Sequence, residues 1–172
     1  MVASGSNRRA VTIDEIPKNL QHAFVAIEDE RFYEHNGIDV TGIIRAGVKG
    51  VASGFHFSEG ASTITQQLLK NTVFTSWTSE SSMADKFERK FQEQYLALQL
   101  EKVVDKDWIL ENYLNSINLG SNTLGVQAAA QRYFGKDVSK LTLSECAVIA
   151  GITKNPACLL YTSPSPRDRS VS

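Results

Sequence analysis

Cysteine is almost missing from this chain, with two residues, Cys146 and Cys158, in 172. Two are too few for a disulfide scaffold or a four-ligand zinc site. Proline is scarce at 4, and glycine stands at 11. Collagen and Pro/Gly-rich low-complexity chains are thereby excluded. Neither sign of charge is in excess: 18 Lys and Arg face 19 Asp and Glu, a formal net charge of -1. A general polyanion binder carries a strong basic excess, so nucleic acid is not an expected partner. No apolar run approaches the roughly 18–20 residues of a membrane span. Met1 to Ala10 is polar and lacks the apolar stretch of a signal peptide. What remains is 42% hydrophobic and 22% charged, the balance of an ordinary globular domain.

The periodicity along the chain is helical, with no useful strand alternation and no internal repeat. Ile13 to Pro17 reads as a helix entrance with Asp14 available as a cap. Apolar residues then recur at three- and four-residue steps from Lys18 to Glu34, and Asn36-Gly37 stops the run. Further helices are predicted over Val40–Val51, Ser62–Lys70, Ala84–Val104, Asp105–Ile117, Val126–Phe134 and Leu143–Ile152. In the fourth of these seven helices, Phe87, Phe91, Tyr95 and Leu98 form one stripe, widened by Ala97 and Leu100. Residues 72–82 hold Val73, Phe74 and Trp77 among Ser and Thr without a period, which marks a candidate mobile segment.

Three clusters carry candidate chemistry. In the acidic run Glu28 to Asp39, the apolar Ile27 and Phe32 flank the acids. His35 follows Glu28 by seven residues, about two helical turns, so the two side chains share a face if the helix continues. A carboxylate beside apolar surface has a raised pKa suited to acid–base work. A solvated acidic face is the plainer reading. Gly60 to Asn71 is a small-residue loop opening a helix, with Ser62 as the expected cap. The free N–H groups of such an end favour anions, phosphate above all. It lacks the Gly-Lys-Ser/Thr ending of a P-loop. Thr63, Gln66, Gln67 and Lys70 make a polar face there. In Glu88 to Tyr95, Arg89 and Glu93 are either an i, i+4 surface pair or a phosphate fork beside a second carboxylate. Glu111 and Glu145 lie in apolar helices and are expected as buried partners of Arg or Lys.

Together with Ile109–Asn115 and Tyr133–Glu145, these segments resemble, in order, the five motifs of the peptidoglycan glycosyltransferase family. These are the family 51 type transglycosylase domains of class A penicillin-binding proteins and of monofunctional enzymes. The motif residues are Glu28-Asp29 with Phe32, His35, Gly37 and Asp39; Gly60 through Asn71; Arg89-Lys90 with Glu93, Ala97, Leu100 and Glu101; Ile109-Leu110-Glu111 with Tyr113-Leu114-Asn115; and Tyr133 through Lys136 with Glu145 and Pro156. The resemblance implies a mainly α, lysozyme-like domain over residues 1–157, with a small mobile jaw at about 72–86 above a cleft. It implies lipid II and the growing glycan as substrates, β-1,4 linkage with inversion, and release of undecaprenyl diphosphate. By that resemblance Glu28 is the general base and Glu93 the second acid, near a divalent cation (Mg or Mn) held with the substrate diphosphate. No organic cofactor is implied. Asn19, Asp29, Phe32, His35, Thr63, Gln67, Lys70 and Arg89 match substrate-contacting or cleft positions. Val73, Phe74 and Trp77 then face the membrane surface, unless they are local core.

The family setting implies the outer face of a bacterial cell membrane. It also implies an anchor before the first motif, expected to lie outside this sequence, and, in bifunctional members, a following transpeptidase domain. A lysozyme-like hydrolase shares the cleft and a Glu but needs no phosphate-binding face. A non-catalytic helical binding domain needs no Glu28. Past Ala157 the resemblance ends. Residues 158–172 read as a translated transposase sequencing adapter, a non-biological tail, against the alternative of a Pro/Ser-rich linker. On the adapter reading Cys158 drops out, and Cys146 is a lone thiol in an apolar helix, buried and inert.

Overall fold

The computed structural model describes residues 9–52, 62–73, 83–120 and 123–154. Among the described residues the chain is mainly α, with helices α1 (Lys18–Glu28), α2 (Val40–Ala52), α3 (Ile64–Thr72), α4 (Met83–Leu100), α5 (Lys106–Ser116), α6 (Val126–Phe134) and α7 (Leu143–Gly151). A 3-10 turn, Val138–Lys140, joins the last two, and no strand is present among these residues. The segments 74–82 and 158–172, with Phe74, Trp77 and most of the expected jaw, lie outside the described residues.

Caps set several boundaries. Asp105 accepts from the Trp108 N–H at 2.8 Å and opens α5, as its position predicts. Thr142 and Glu145 form a reciprocal capping box at α7. Gly135, in the left-handed region at φ 64°, closes α6. At α3 the cap is Thr63, not the expected Ser62. Thr63 accepts the Gln66 N–H and also donates to Gly37 O at 2.7 Å, so the cap doubles as a tertiary link. α1 starts from Pro17 without a side-chain cap, and Asp14 is not used.

α5 is the hub. Its Ile109, Leu110, Tyr113 and Leu114 are fully buried with Leu20 and Phe24 of α1, Ile64 of α3, Ala129 and Ala130 of α6, and Ile149 of α7. Phe24 meets Tyr113 edge-on, ring centroids 6.2 Å apart. α3 packs on α4 and α5, and α1 packs on α7. Cys146 is the free cysteine of this core, and burial raises its thiol pKa. That is the inert thiol expected of it.

Two helices depart from their periodicity. The first helix ends at Glu28, not Glu34, and residues 29–36 are turn. Asp29 leaves helical geometry at φ −157° because its side chain is drawn across to α3. Phe32 is therefore free to turn fully into the core. In α4 part of the expected stripe faces out: Phe91 is 69% exposed, Tyr95 61% and Leu98 38%, while Ala97 is buried and Leu100 packs against the core. The buried side is Glu93 and Ala97. Small Ala97 lets the turn approach, and the charged edge of α4 binds polar atoms of α3, which outweighs the apolar pattern.

Gly37 shows how close that approach is. It sits at φ 92°, and a Cβ there would lie 2.7 Å from the Ala97 carbonyl oxygen. Gly37→Ala meets both backbone strain and a backbone clash. It is expected to cost about 3 kcal/mol, read as a lower urea midpoint at unchanged slope.

Candidate active site

Glu28 is the last residue of α1, and its side chain is only 9% exposed. Three elements converge on it. Gln67 of α3 donates its Nε2–H to Glu28 Oε2 at 3.1 Å. Tyr113 of α5 donates its hydroxyl to Gln67 Oε1 at 3.2 Å. Burial, then the charges of Glu28 and Asp29, push the Tyr113 phenol far above the usual tyrosine range. It therefore stays a donor, and this orients the Gln67 amide with its nitrogen toward Glu28. Lys154, just past α7, brings its ammonium to 3.6 Å from Glu28 Oε2. The packing of α7 on α1 delivers it. Sequence spacing carries no sign of Lys154, because 126 positions separate it from Glu28 in the chain.

The neighbouring polar residues face inward. Asp29 is 6% exposed and accepts the Ile64 N–H at 2.9 Å. The N-terminus of α3, read from sequence as an anion site, thus holds the protein's own carboxylate. His35 Nδ1 accepts the Gly37 N–H at 3.1 Å, which leaves the ring proton on Nε2, donated to Asp29 at 3.0 Å. His35 is bound to Asp29 and is not stacked above Glu28, because the helix linking them ends. Phe32 is 0% exposed, and Thr63 is 2% exposed with its hydroxyl in use. Asp29 and Thr63 line the cleft beside Glu28, and with Phe32 and His35 they also clasp the turn to α3. Gln66 is also buried, at 1%, so the expected polar face of α3 is not continuous with solvent.

Glu93 is buried too. Its oxygens face Arg89 Nε at 3.4 Å and Lys90 Nζ at 3.3 Å. Lys90 also donates to Ser62 Oγ at 2.9 Å and to Gln66 Oε1 at 3.2 Å. The Arg89–Glu93 pair is therefore not a plain surface bridge. Lys70, in the last turn of α3, and Asn19 on α1 are exposed. Glu145 pairs with Lys136 at 2.6 Å as expected, whereas Glu111 accepts the Ile13 N–H at 2.7 Å in place of a basic partner.

A cleft of about 420 Å³, open to solvent, lies beside Glu28 and is lined also by Glu30, Arg31, Asp39, Arg45 and Ser62. The whole arrangement can be compared with known proteins. The family model described as Transglycosylase matches residues 1–169 of the chain. The chain belongs to the transglycosylase family. It is 52% identical over 158 residues to penicillin-binding protein 1A of Clostridium perfringens (strain 13 / Type A), covering 90% of this chain and 22% of that protein. It is 51% identical over 171 residues to penicillin-binding protein 1A of Escherichia coli (strain K12), covering 98% of this chain and 19% of that protein. The Clostridium novyi (strain NT) penicillin-binding protein 1A is 48% identical over 173 residues. The chain spans about a fifth of the length of these relatives.

Membership makes this a peptidoglycan glycosyltransferase domain of mainly α, lysozyme-like class. Within the transglycosylase domain, Arg45, which lines the cleft, and Lys154, which faces Glu28, are cations that sequence reading missed. Among the described residues no three His, Cys, Asp or Glu side chains converge on a metal position. Glu93, the expected metal ligand, already faces two cations. No step is routed through a metal below.

Asp39 shapes the cleft wall. It accepts the Gly42 N–H at 2.9 Å and pairs with Arg31. Burial opposes its charge, but Arg31 and the Gly42 N–H outweigh burial and hold its pKa below the usual aspartate range. A lowered carboxylate pKa stabilises the fold above the unfolded-state value, and that stability fades as pH falls through the folded value. Stability is thus expected to drop in acid below the ordinary aspartate range. Urea titrations across that window are expected to show a shallower drop in Asp39→Asn.

Proposed function

We propose that the domain polymerises lipid II into β-1,4-linked glycan strands with Glu28 as general base. The observation that carries this reading is the setting of Glu28: nearly buried at a cleft edge, oriented by Gln67 and faced by Lys154. The acceptor sugar's 4-hydroxyl oxygen attacks the anomeric carbon of the growing chain, and Glu28 takes its proton. The bond from that carbon to the diphosphate oxygen breaks, and its electron pair leaves with undecaprenyl diphosphate. Attack and departure on opposite faces invert the centre, the separation of roles used by inverting glycosidases. Lys70, Arg89, Arg45 and Lys154 supply positive charge for the diphosphates of donor and acceptor, and Asn19 and Gln67 supply polar contacts. Glu93 holds Arg89 and Lys90 in place rather than touching the reacting atoms.

A lipid substrate needs a membrane-facing side. On α2, Val40, Ile44 and Val48 are each more than 60% exposed, and the helix carries no acidic residue. Val73, at the end of α3, is 55% exposed. An apolar helix face without acids suits the interface of an anionic bilayer. Among the described residues no helix is long and apolar enough to cross a membrane. We place the anchor and a transpeptidase domain in the remainder of a longer parent protein on the outer face of the bacterial membrane.

The test is lipid II polymerisation by wild type and Glu28→Gln. Loss of glycan in a folded variant supports the reading. An unchanged rate removes Glu28 as base. Soluble fragments from preformed glycan without released lipid diphosphate point to a hydrolase.

A further inference from the structure

Glu101 lies one residue beyond α4, its carboxylate 4% exposed and far from solvent competition. Its two oxygens take different partners. Oε1 accepts the Thr65 hydroxyl at 2.5 Å. Oε2 is 2.6 Å from the ammonium of Lys106, the first residue of α5. That ammonium also stands 4.5 Å over the centroid of the Phe32 ring. One carboxylate therefore ties α3, α5 and the turn after α1 to the end of α4.

The same three segments hold Glu28. α3 carries Gln67, two positions beyond Thr65, whose amide binds Glu28. α3 also carries Ile64, one position before Thr65, whose N–H binds Asp29. Phe32 is in the turn and donates its N–H to Asp29 O at 2.9 Å. Thr65, in the first turn of α3, sends its hydroxyl out of the helix to Glu101, which fixes the helix's rotation. The Gln67–Glu28 bond at 3.1 Å is near the long end of the normal range. A few tenths of an ångström of slip in α3 breaks it.

We propose that Glu101 is a positioning residue for the transfer reaction, setting α3 through Thr65 so that Gln67 holds Glu28 in its productive orientation. It touches no substrate. The inference rests on the reading of Glu28 as base, and the experiment separates the two.

The experiment is a double-mutant cycle on lipid II polymerisation, with thermal unfolding of each variant. Glu101→Gln is expected to lower kcat about tenfold while KM stays within about twofold. In a Gln67→Ala background the same substitution is expected to change kcat by less than about twofold, because the route is already cut. Thr65→Val is expected to reproduce the kcat loss, and Thr65→Ser, which keeps the hydroxyl, to restore the wild-type value. If Glu101→Gln does not fold, the Thr65 pair in both backgrounds carries the test. A full loss persisting without Gln67, a loss confined to KM, or no difference between Ser and Val at position 65 overturns the proposal. A fully active Glu28→Gln overturns the base assignment instead, and the cycle still reads whether position 101 acts through Gln67.

Discussion

Glu28→Gln abolishes glycan synthesis to within about a thousandth of the wild-type rate, the middle of the range for removing a general base. The substitution keeps the shape and the hydrogen-bonding capacity of the side chain, so the loss reports chemistry. Gln67 still has an oxygen to donate to, and Lys154 loses only an ion-pair partner at 3.6 Å whose own side chain is 59% exposed. An exposed partner of that kind contributes about 0–1 kcal/mol, so the fold should persist. The expected signature is therefore a kcat effect at unchanged unfolding temperature. Binding of lipid II to the variant, measured separately, should change by less than about tenfold, because a base acts in the transition state more than in the ground state. Residual activity above a tenth of wild type would place the base elsewhere.

Asp29→Ala produces the opposite pattern: a loss of stability first, and of activity through it. The carboxylate accepts the Ile64 N–H at the start of α3 and the Nε2–H of His35, both buried. Its removal leaves an uncapped N–H and an imidazole without its acceptor in a water-poor site. Breaking a buried charged hydrogen-bond network by deleting one partner costs about 3–5 kcal/mol. Because the clasp joins the turn to α3, α3 should also lose its fixed relation to Glu28. Chemical denaturation decides between the two roles considered for Asp29. A substrate contact leaves the urea midpoint where it is; a clasp moves it strongly. Asp29→Asn keeps an acceptor for Ile64 and should recover part of the loss.

Much of the helix inventory was legible from periodicity and punctuation. α6 matches its expected bounds, α5 begins at the predicted Asp105 cap, and α2 begins at Val40. These are local signals: a side-chain cap or an apolar repeat acts within a turn or two of its own position. The failures were non-local. α4 exposes Phe91 and Tyr95 because α3 and the residue before its cap offer Lys90 the polar atoms of Gln66 and Ser62. A moment computed from one helix cannot register what the facing helix presents. The end of α1 was misread for the same reason, since Asp29 is pulled from helical geometry by an N–H 35 positions away.

By itself, the order of motif residues determined the family and the mainly α class, because residue identity and spacing are all that such recognition needs. It also marked Glu28 and Gln67 as site residues, in separate motifs. Scarce cysteine and balanced charge removed disulfide scaffolds and polyanion binders, but they could not show a few cations gathered at one cleft. Only the tertiary structure decided which polar groups face the cleft and which face each other. Asp29, His35 and Thr63 carry the chemistry of ligand contacts, yet their partners are inside the protein. Lys154 reaches Glu28, and Arg45 the cleft, from distant segments. A polar atom goes to whichever partner the packed helices bring within about 3 Å, and that distance is a property of the assembled fold rather than of spacing along the chain.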